Sequence, residues 1–309
     1  MTTQLDHLLV TGEIESQPEC WAEAAALAPT APGLPSPGEK TAVIGCGTSW
    51  FIAMAYAALR ERAGHGWTDA FTATELPLAR DYDRVVAISR SGTTTEVAEA
   101  LAGLNPATAS VAIVGVRGTP VADQADHVIG LEFADERSVV QTRFATSTLA
   151  LLRAWLGEDL GRAIEDCRAA LEEPIGNAWI EATQAAFLGR GWTIGLAQEA
   201  ALKLREASLS FTEAYPAMDY RHGPIALAEP GRLVWMFGPP PEGLRDDVRA
   251  TGATWINSTL DPMADLVRVQ RLAVARGVAR GLDPDHPRHL TRSVILDQAM
   301  LDEPQAAKS

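Results

Sequence analysis

A chain of 309 residues, 47% of them hydrophobic, can fill two ordinary cores, and its 40 acidic against 26 basic residues give a formal charge of −14. That field repels nucleic acid and anionic membrane, so a phosphorylated ligand has to be held by local donors. The three cysteines, Cys20, Cys46 and Cys167, make no CxxC pair and accompany no histidine cluster, which speaks against a disulfide framework or a zinc site; with no basic leader in MTTQLDHLLV and no apolar run of about 18 residues, a cytoplasmic protein without a membrane segment is expected.

Residues 1–27 carry a helical pattern broken around Gln17-Pro18, and four prolines between 29 and 37 mark a linker or wrapping segment outside the core, so residues 1–40 stand apart. Three blocks follow: TAVIGCGTSWFIAMAYAALRER, DRVVAISRSGTTTEVAEALAGL and SVAIVGVRGTPVADQADHVIGL. Each is a short β-branched run, a turn and usually a helix, the alternation of a parallel sheet covered on both faces. A further short strand near 127–131 and a helix over 142–156 complete a unit spanning 41–172.

The second half repeats the first. Gly45 and Gly47 align with Gly189 and Gly191 at an offset of 144 residues, Arg84-Val85-Val86 with Arg232-Leu233-Val234 at 148, and residues 119–123 with 261–265 at 142. Three blocks in one order with nearly equal offsets are the mark of a duplicated fold. The sequence therefore predicts α/β architecture: two tandem doubly wound, flavodoxin-like αβα domains with parallel sheets, joined near 172–177, the second covering 173–297 and followed by a tail, 298–309.

The copies diverge at the turn after their second predicted strand. Copy one has SRSGTTTE (89–96), whereas copy two has GPPPEG (238–243). Hydroxyls and an arginine before a helix N-terminus suit an anion, and prolines offer no N–H. Ser89, Arg90, Ser91 and Thr94 are thus candidate anion ligands, joined by Thr48 and Ser49 at the end of the neighbouring strand. Taken alone, the same serines and threonines are also ordinary helix caps. Gly45-x-Gly47 is followed by Trp50 instead of a third glycine, and no GK[ST] is present, so neither NAD nor ATP is supported. His286 and His289 in DPDHPRHL read as a surface turn, and Cys46 as a small buried filler more readily than a nucleophile. No metal and no organic cofactor are expected.

Chemistry concentrates in residues 198–227, QEAALKLREASLSFTEAYPAMDYRHGPIAL. Its first half is made of strong helix formers, ending near 208–210, and spacings of four and three residues put Glu199, Lys203 and Glu206 on one helical face. A carboxylate beside an ammonium can accept a proton and stabilise a developing oxyanion. The remainder, through Tyr215 and Pro216, reads as loop, and places His222 before Gly223-Pro224 where an imidazole can meet a ligand. Spacing alone equally describes an exposed amphipathic helix laced with salt bridges.

Taken together, GCGTS, SRSGTTTE, the duplicated unit and the 198–227 stretch resemble the sugar isomerase (SIS) family, above all the isomerase half of glucosamine-6-phosphate synthases. The resemblance runs from Glu13-Ile14-x-x-Gln17-Pro18 to the DHPRHLTRSV run ending at Val294. It implies a phosphosugar-binding dimer in which Ser89, Ser91, Thr94, Thr48 and Ser49 hold the sugar phosphate. Glu206 would shuttle the proton, Lys203 assist at the sugar oxygens, and His222 open the ring from the neighbouring subunit. Gln141, Glu199 and Arg292 are placed on the substrate side by the same resemblance. The synthases begin with a glutaminase whose cysteine follows Met1; Thr2 stands here, so glutamine is not the expected nitrogen donor. Arg292 matches their Schiff-base lysine, and a guanidinium that stays protonated cannot attack a carbonyl. Arg90 and the residues 136–142 are more similar to stand-alone tagatose-6-phosphate ketose/aldose isomerases and amino-sugar-phosphate deaminases. The expected activity is aldose–ketose isomerisation of a hexose or amino-hexose 6-phosphate, with or without deamination; the alternative is a non-catalytic phosphosugar sensor.

Overall fold

The computed structural model describes residues 7–296. Two helices open the chain, α1 (Leu9–Glu15) and α2 (Gln17–Leu27), separated at Ser16, with Pro18 in the first turn of α2 where its missing N–H has no partner to lose. The proline-containing segment after them is more than a linker. Ala31 and Leu34 are buried in the main core, so it wraps the body and contributes to it, against the expectation of a segment outside the core.

The first sheet is built of β1 (Thr41–Gly45), β2 (Thr68–Thr72), β3 (Arg84–Ser89), β4 (Ala109–Val114) and β5 (His127–Gly130), all parallel, in the order β2-β1-β3-β4-β5. The second holds β6 (Gln184–Gly189), β7 (Phe211–Pro216), β8 (Arg232–Met236) and β9 (Thr254–Asn257), also parallel, in the order β7-β6-β8-β9. The shared order is that of a doubly wound fold made twice, as the repeat predicted; among the described residues only the first sheet has a fifth strand. Residues 211–216, expected as loop, instead pair with β6 from Gln184↔Phe211 to Gly189↔Pro216. Pro216 is tolerated because it ends an edge strand, where no further N–H is required.

The helices between and around the strands are α3 (Thr48–Arg62), α4 (Thr95–Ala102), α5 (Pro120–Asp123), α6 (Arg143–Trp155), α7 (Gly161–Glu172), α8 (Asn177–Glu181), α9 (Thr193–Ser208), α10 (Leu244–Ala250) and α11 (Pro262–Ala279). One apolar core joins the two copies, running from Val43 and Ile52 to Phe187, Leu196 and Leu204. Its centre is α9, packed on α3 of the first copy and on α11 of its own. Both crossings are tight: a Cβ at Gly195 would lie 2.4 Å from Phe51 O, and one at Gly277 would lie 2.3 Å from Ala207 O. Glycine at those two positions lets the backbones close, and α9 is thereby held against the strand-end turns of the first copy.

Candidate active site between the two copies

Helix α9 carries its charges inward. Glu199 and Lys203 are 0% and 1% exposed, and Lys203 Nζ donates to Glu206 Oε2 at 2.6 Å and to Thr48 Oγ1 at 3.0 Å, with Glu199 Oε1 at 3.4 Å. The exposed-helix alternative therefore does not describe this segment. Burial pushes the Glu199 carboxyl up to about 7, against the pull of the Lys203 ammonium and with the push of Glu206. For Lys203, burial alone would favour the neutral amine, but the two carboxylates outweigh it and raise the pKa above the ordinary lysine value. The bond to Thr48 ties this charged cluster to the β1–α3 turn, where Gly47 takes φ +54.

The turn after β3 curls in front of α4. Ser89 Oγ accepts from Gly92 N at 3.2 Å and lies 3.4 Å from Thr94 Oγ1, and Gly92 has φ +67. A Cβ at Gly92 would meet Thr119 Oγ1 at 2.1 Å, so glycine is needed for this turn to close. Ser91 Oγ accepts from Thr93 N and, with Thr93 Oγ1, reaches Ser293 Oγ, at 3.1 and 3.0 Å. Ser293 belongs to a strap over residues 284–296 that returns across the first copy, held by Thr95 N to Val294 O at 3.3 Å and Leu296 N to Thr95 Oγ1 at 3.0 Å.

Between the turn, the strap and α9 lies a cleft of about 200 Å3, lined by Thr48, Arg90, Thr94, Gln141, Glu206 and Arg292 among others. Six of the residues singled out in the sequence thus meet on one hollow. Six others do not line it, among them Lys203, which reaches it through Glu206, and His222. Ser49 is buried one residue deeper in α3, Ser89 shapes the turn from behind, Ser91 faces the strap, and Glu199 sits beneath Lys203.

Arg90 lines the cleft and also braces it: its side chain is 2% exposed and donates to Ser138 O, Val139 O and Arg292 O at 3.0, 3.1 and 3.0 Å, with Glu136 at 3.7 Å, while its Nε has no partner among the described residues. It fastens the strap and the loop before α6 to the turn. That loop is braced from behind by Glu13, whose Oε1 accepts from Arg137 N at 2.6 Å, and by Glu136, which accepts from Thr142 N at 2.5 Å and Arg143 N at 2.8 Å. Arg292 pairs with Asp135. His222 stands apart on the 3-10 turn Asp219–His222 after edge strand β7, exposed and outside the cleft of its own chain.

The structure adds Glu96, which the sequence did not single out, and shows how Gln141 and Cys46 meet the cleft. Glu96 lines the cleft with a buried Oε2 that has no partner within the chain, as does Gln141 with its Oε1. Glu96 was legible as the last letter of SRSGTTTE, where it reads as a first-turn helix residue. Cys46 lines the cleft as well, and burial pushes its thiol pKa up, which disfavours a thiolate nucleophile. Among the described residues no three His, Cys, Asp or Glu side chains gather as a metal site, and no helix is long and apolar enough to cross a membrane.

Residues 37–156 match the SIS domain family. Over 84% of its length the chain is 29% identical to the glutamine–fructose-6-phosphate aminotransferase (isomerizing) of Methanothermobacter thermautotrophicus, and over 92% it is 29% identical to that of Pyrobaculum aerophilum. These alignments take in 52% and 57% of those proteins, so the chain spans about half the length of the curated relatives it matches. Among solved structures, glucosamine-6-phosphate deaminase from Thermotoga maritima shares the fold with a TM-score of 0.77 at 24% identity, over 93% of this chain and 98% of that one. Tagatose-6-phosphate ketose/aldose isomerase from Escherichia coli does so with a TM-score of 0.75 at 18% identity, over 92% and 98%.

Proposed function

Because this chain is a SIS domain protein of the phosphosugar isomerase-like kind, we propose that it moves a proton between the first two carbons of a hexose or amino-hexose 6-phosphate. The observation that carries this reading is that Glu206, paired with Lys203, opens on the same cleft as Thr94 and the N-terminal end of α4. A phosphate at that end meets the turn hydroxyls and the positive pole of the helix, with Ser91 and Thr93 released from Ser293 to receive it. The sugar then extends towards Glu206, whose carboxylate takes the proton from the second carbon, while the Lys203 ammonium stabilises the negative charge that develops on the sugar oxygen. Returning the proton to the first carbon, with the hydroxyl proton passing from the second oxygen to the first, completes isomerisation; from an amino sugar, protonation of the enolamine at the first carbon leaves an imine at the second, which water hydrolyses to the ketone and ammonia. Arg292, held by Asp135, shapes the cleft, and a guanidinium is no nucleophile for a Schiff base.

Two consequences follow for binding and assembly. Thr94→Ala or Ser91→Ala should weaken phosphosugar binding by about 1–3 kcal/mol, and substitutions in residues 238–243 should leave it unchanged by calorimetry. Equal losses from both turns would mean that the cradle is not confined to the first copy. For ring opening, His222 reaches the cleft of a second subunit, a reading supported by its exposure on the turn after edge strand β7, a turn entered through Met218, itself 51% exposed. Mixing inactive His222→Ala and Glu206→Gln chains should then restore part of the activity in exchanged dimers; background activity despite proven exchange would place the histidine's action within its own chain.

The reading is tested by incubation with a panel of hexose and hexosamine 6-phosphates, following new ketose or aldose by NMR and ammonia by assay. Conversion of at least one member, and of no unphosphorylated sugar, is expected. Tight binding without conversion of any would favour a sensor.

A further inference from the structure

Glu206 lines two hollows, and among the described residues no other lines both. Besides the cleft, it borders a smaller one of about 30 Å3 formed with Leu209, Leu282, Asp283, His286 and Arg288, roughly the room that two waters take. At its mouth Asp283 Oδ2 meets His286 Nδ1 at 3.0 Å, and the histidine side chain is 75% exposed. The pair is built in. Asp283 Oδ1 also accepts from Asp285 N at 2.9 Å, and the next carboxylate, Asp285, caps α1 by accepting from Leu9 N and Val10 N at 2.8 Å each, so this turn is anchored to the body. Partial burial raises the Asp283 carboxyl, but His286 and the backbone N–H of Asp285 outweigh it and hold it below the usual carboxylate range. A carboxylate on Nδ1 fixes the tautomer that leaves Nε2 free to take or give a proton.

We propose that His286, oriented by Asp283, exchanges the proton of Glu206 with solvent through this second hollow. The inference rests on Glu206 being the base. Glu206 takes the sugar hydrogen from the cleft side, forming its carboxylic acid and the enediolate. A water in the small hollow then carries that proton to Nε2 of His286 while a solvent proton returns by the same path, and the acid delivers it to the first carbon. Lys203 occupies Oε2 throughout, which reserves the other oxygen for this traffic. In the exchange relay itself only bonds to hydrogen change, and its net proton count is zero. The consequence is that the hydrogen removed from the substrate is lost to water before it can be returned.

A substrate deuterated at the second carbon, turned over in ordinary water, reads this partition as deuterium retained at the first carbon of the product against deuterium released. The native chain should release most of it. His286→Ala should raise the retained fraction severalfold, Asp283→Asn should raise it less, and added imidazole should return His286→Ala to the native partition. A retained fraction in His286→Ala equal to that of the native chain, with the variant folded by circular dichroism, overturns the proposal. Should His286→Ala fold poorly, His286→Gln decides by the same criterion. Failure of the underlying reading looks different: Glu206→Gln would then turn over at the native rate.

Discussion

Glu206→Gln is expected to lower turnover of a phosphosugar by about 10²–10⁴-fold while its dissociation constant shifts only a few-fold. Glutamine keeps the volume of the side chain and an oxygen that can accept from Lys203, but it has no basic oxygen to take a proton from carbon. The loss therefore falls on kcat, not on binding, because the phosphate turn at Thr94 lies at another part of the cleft. Initial rates and calorimetry on the same preparation separate the two quantities. A variant that binds and turns over like the native chain would move the base elsewhere, to Glu199 or His222.

Removing the cation has a larger structural effect. Lys203→Met should cost about 3–5 kcal/mol of stability, since it leaves Glu199 at 0% exposure without its partner. Methionine fills most of the lysine stem, so the penalty is electrostatic more than steric. Adding Glu199→Gln to Lys203→Met should recover a large part of that stability, as measured by denaturant midpoint, and none of the activity. If Lys203→Met alone is as stable as the native chain, the buried triad is not the cohesive element its distances imply.

Glu199 also sets a pH dependence whose sign is fixed by the direction of its shift. Its folded pKa, about 7, lies above the ordinary value of 4.5, so the folded chain holds this proton more tightly than the unfolded chain. Its contribution to stability is complete below about 4.5 and is lost as pH rises through about 7. Denaturant midpoints of the native chain should decline across that window relative to those of Glu199→Gln, which has no proton to lose there.

What the sequence disclosed, and what it withheld, follows from where each interaction partner lies. The duplicated fold was legible because glycine turns such as Gly45-x-Gly47 and Gly189-x-Gly191 and the strands behind them repeat in order. The Glu199, Lys203 and Glu206 face was legible because helical spacing is local. β2 escaped notice because Thr68–Thr72, TDAFT, is a polar edge strand with only one fully buried position, and β7 because Pro216 ends it. Nothing near Arg90 in sequence reveals that its two terminal nitrogens donate to Ser138, Val139 and, 202 residues away, Arg292. The strap that engages Ser91 through Ser293 is equally remote, so the direction of these side chains is decided by tertiary contacts that no local pattern encodes. The predicted tail, 298–309, lies outside the described residues.

The central claim is that one ligand spans the phosphate turn and the Glu206 carboxylate, so that a proton is removed from carbon. Exchange at the second carbon, followed by NMR in deuterated water with the unmodified chain, tests it most directly. The account predicts that a hexose or hexosamine 6-phosphate loses its hydrogen signal at that carbon, and that the unphosphorylated sugar does not. Phosphosugars that bind yet keep that hydrogen through prolonged incubation would contradict it.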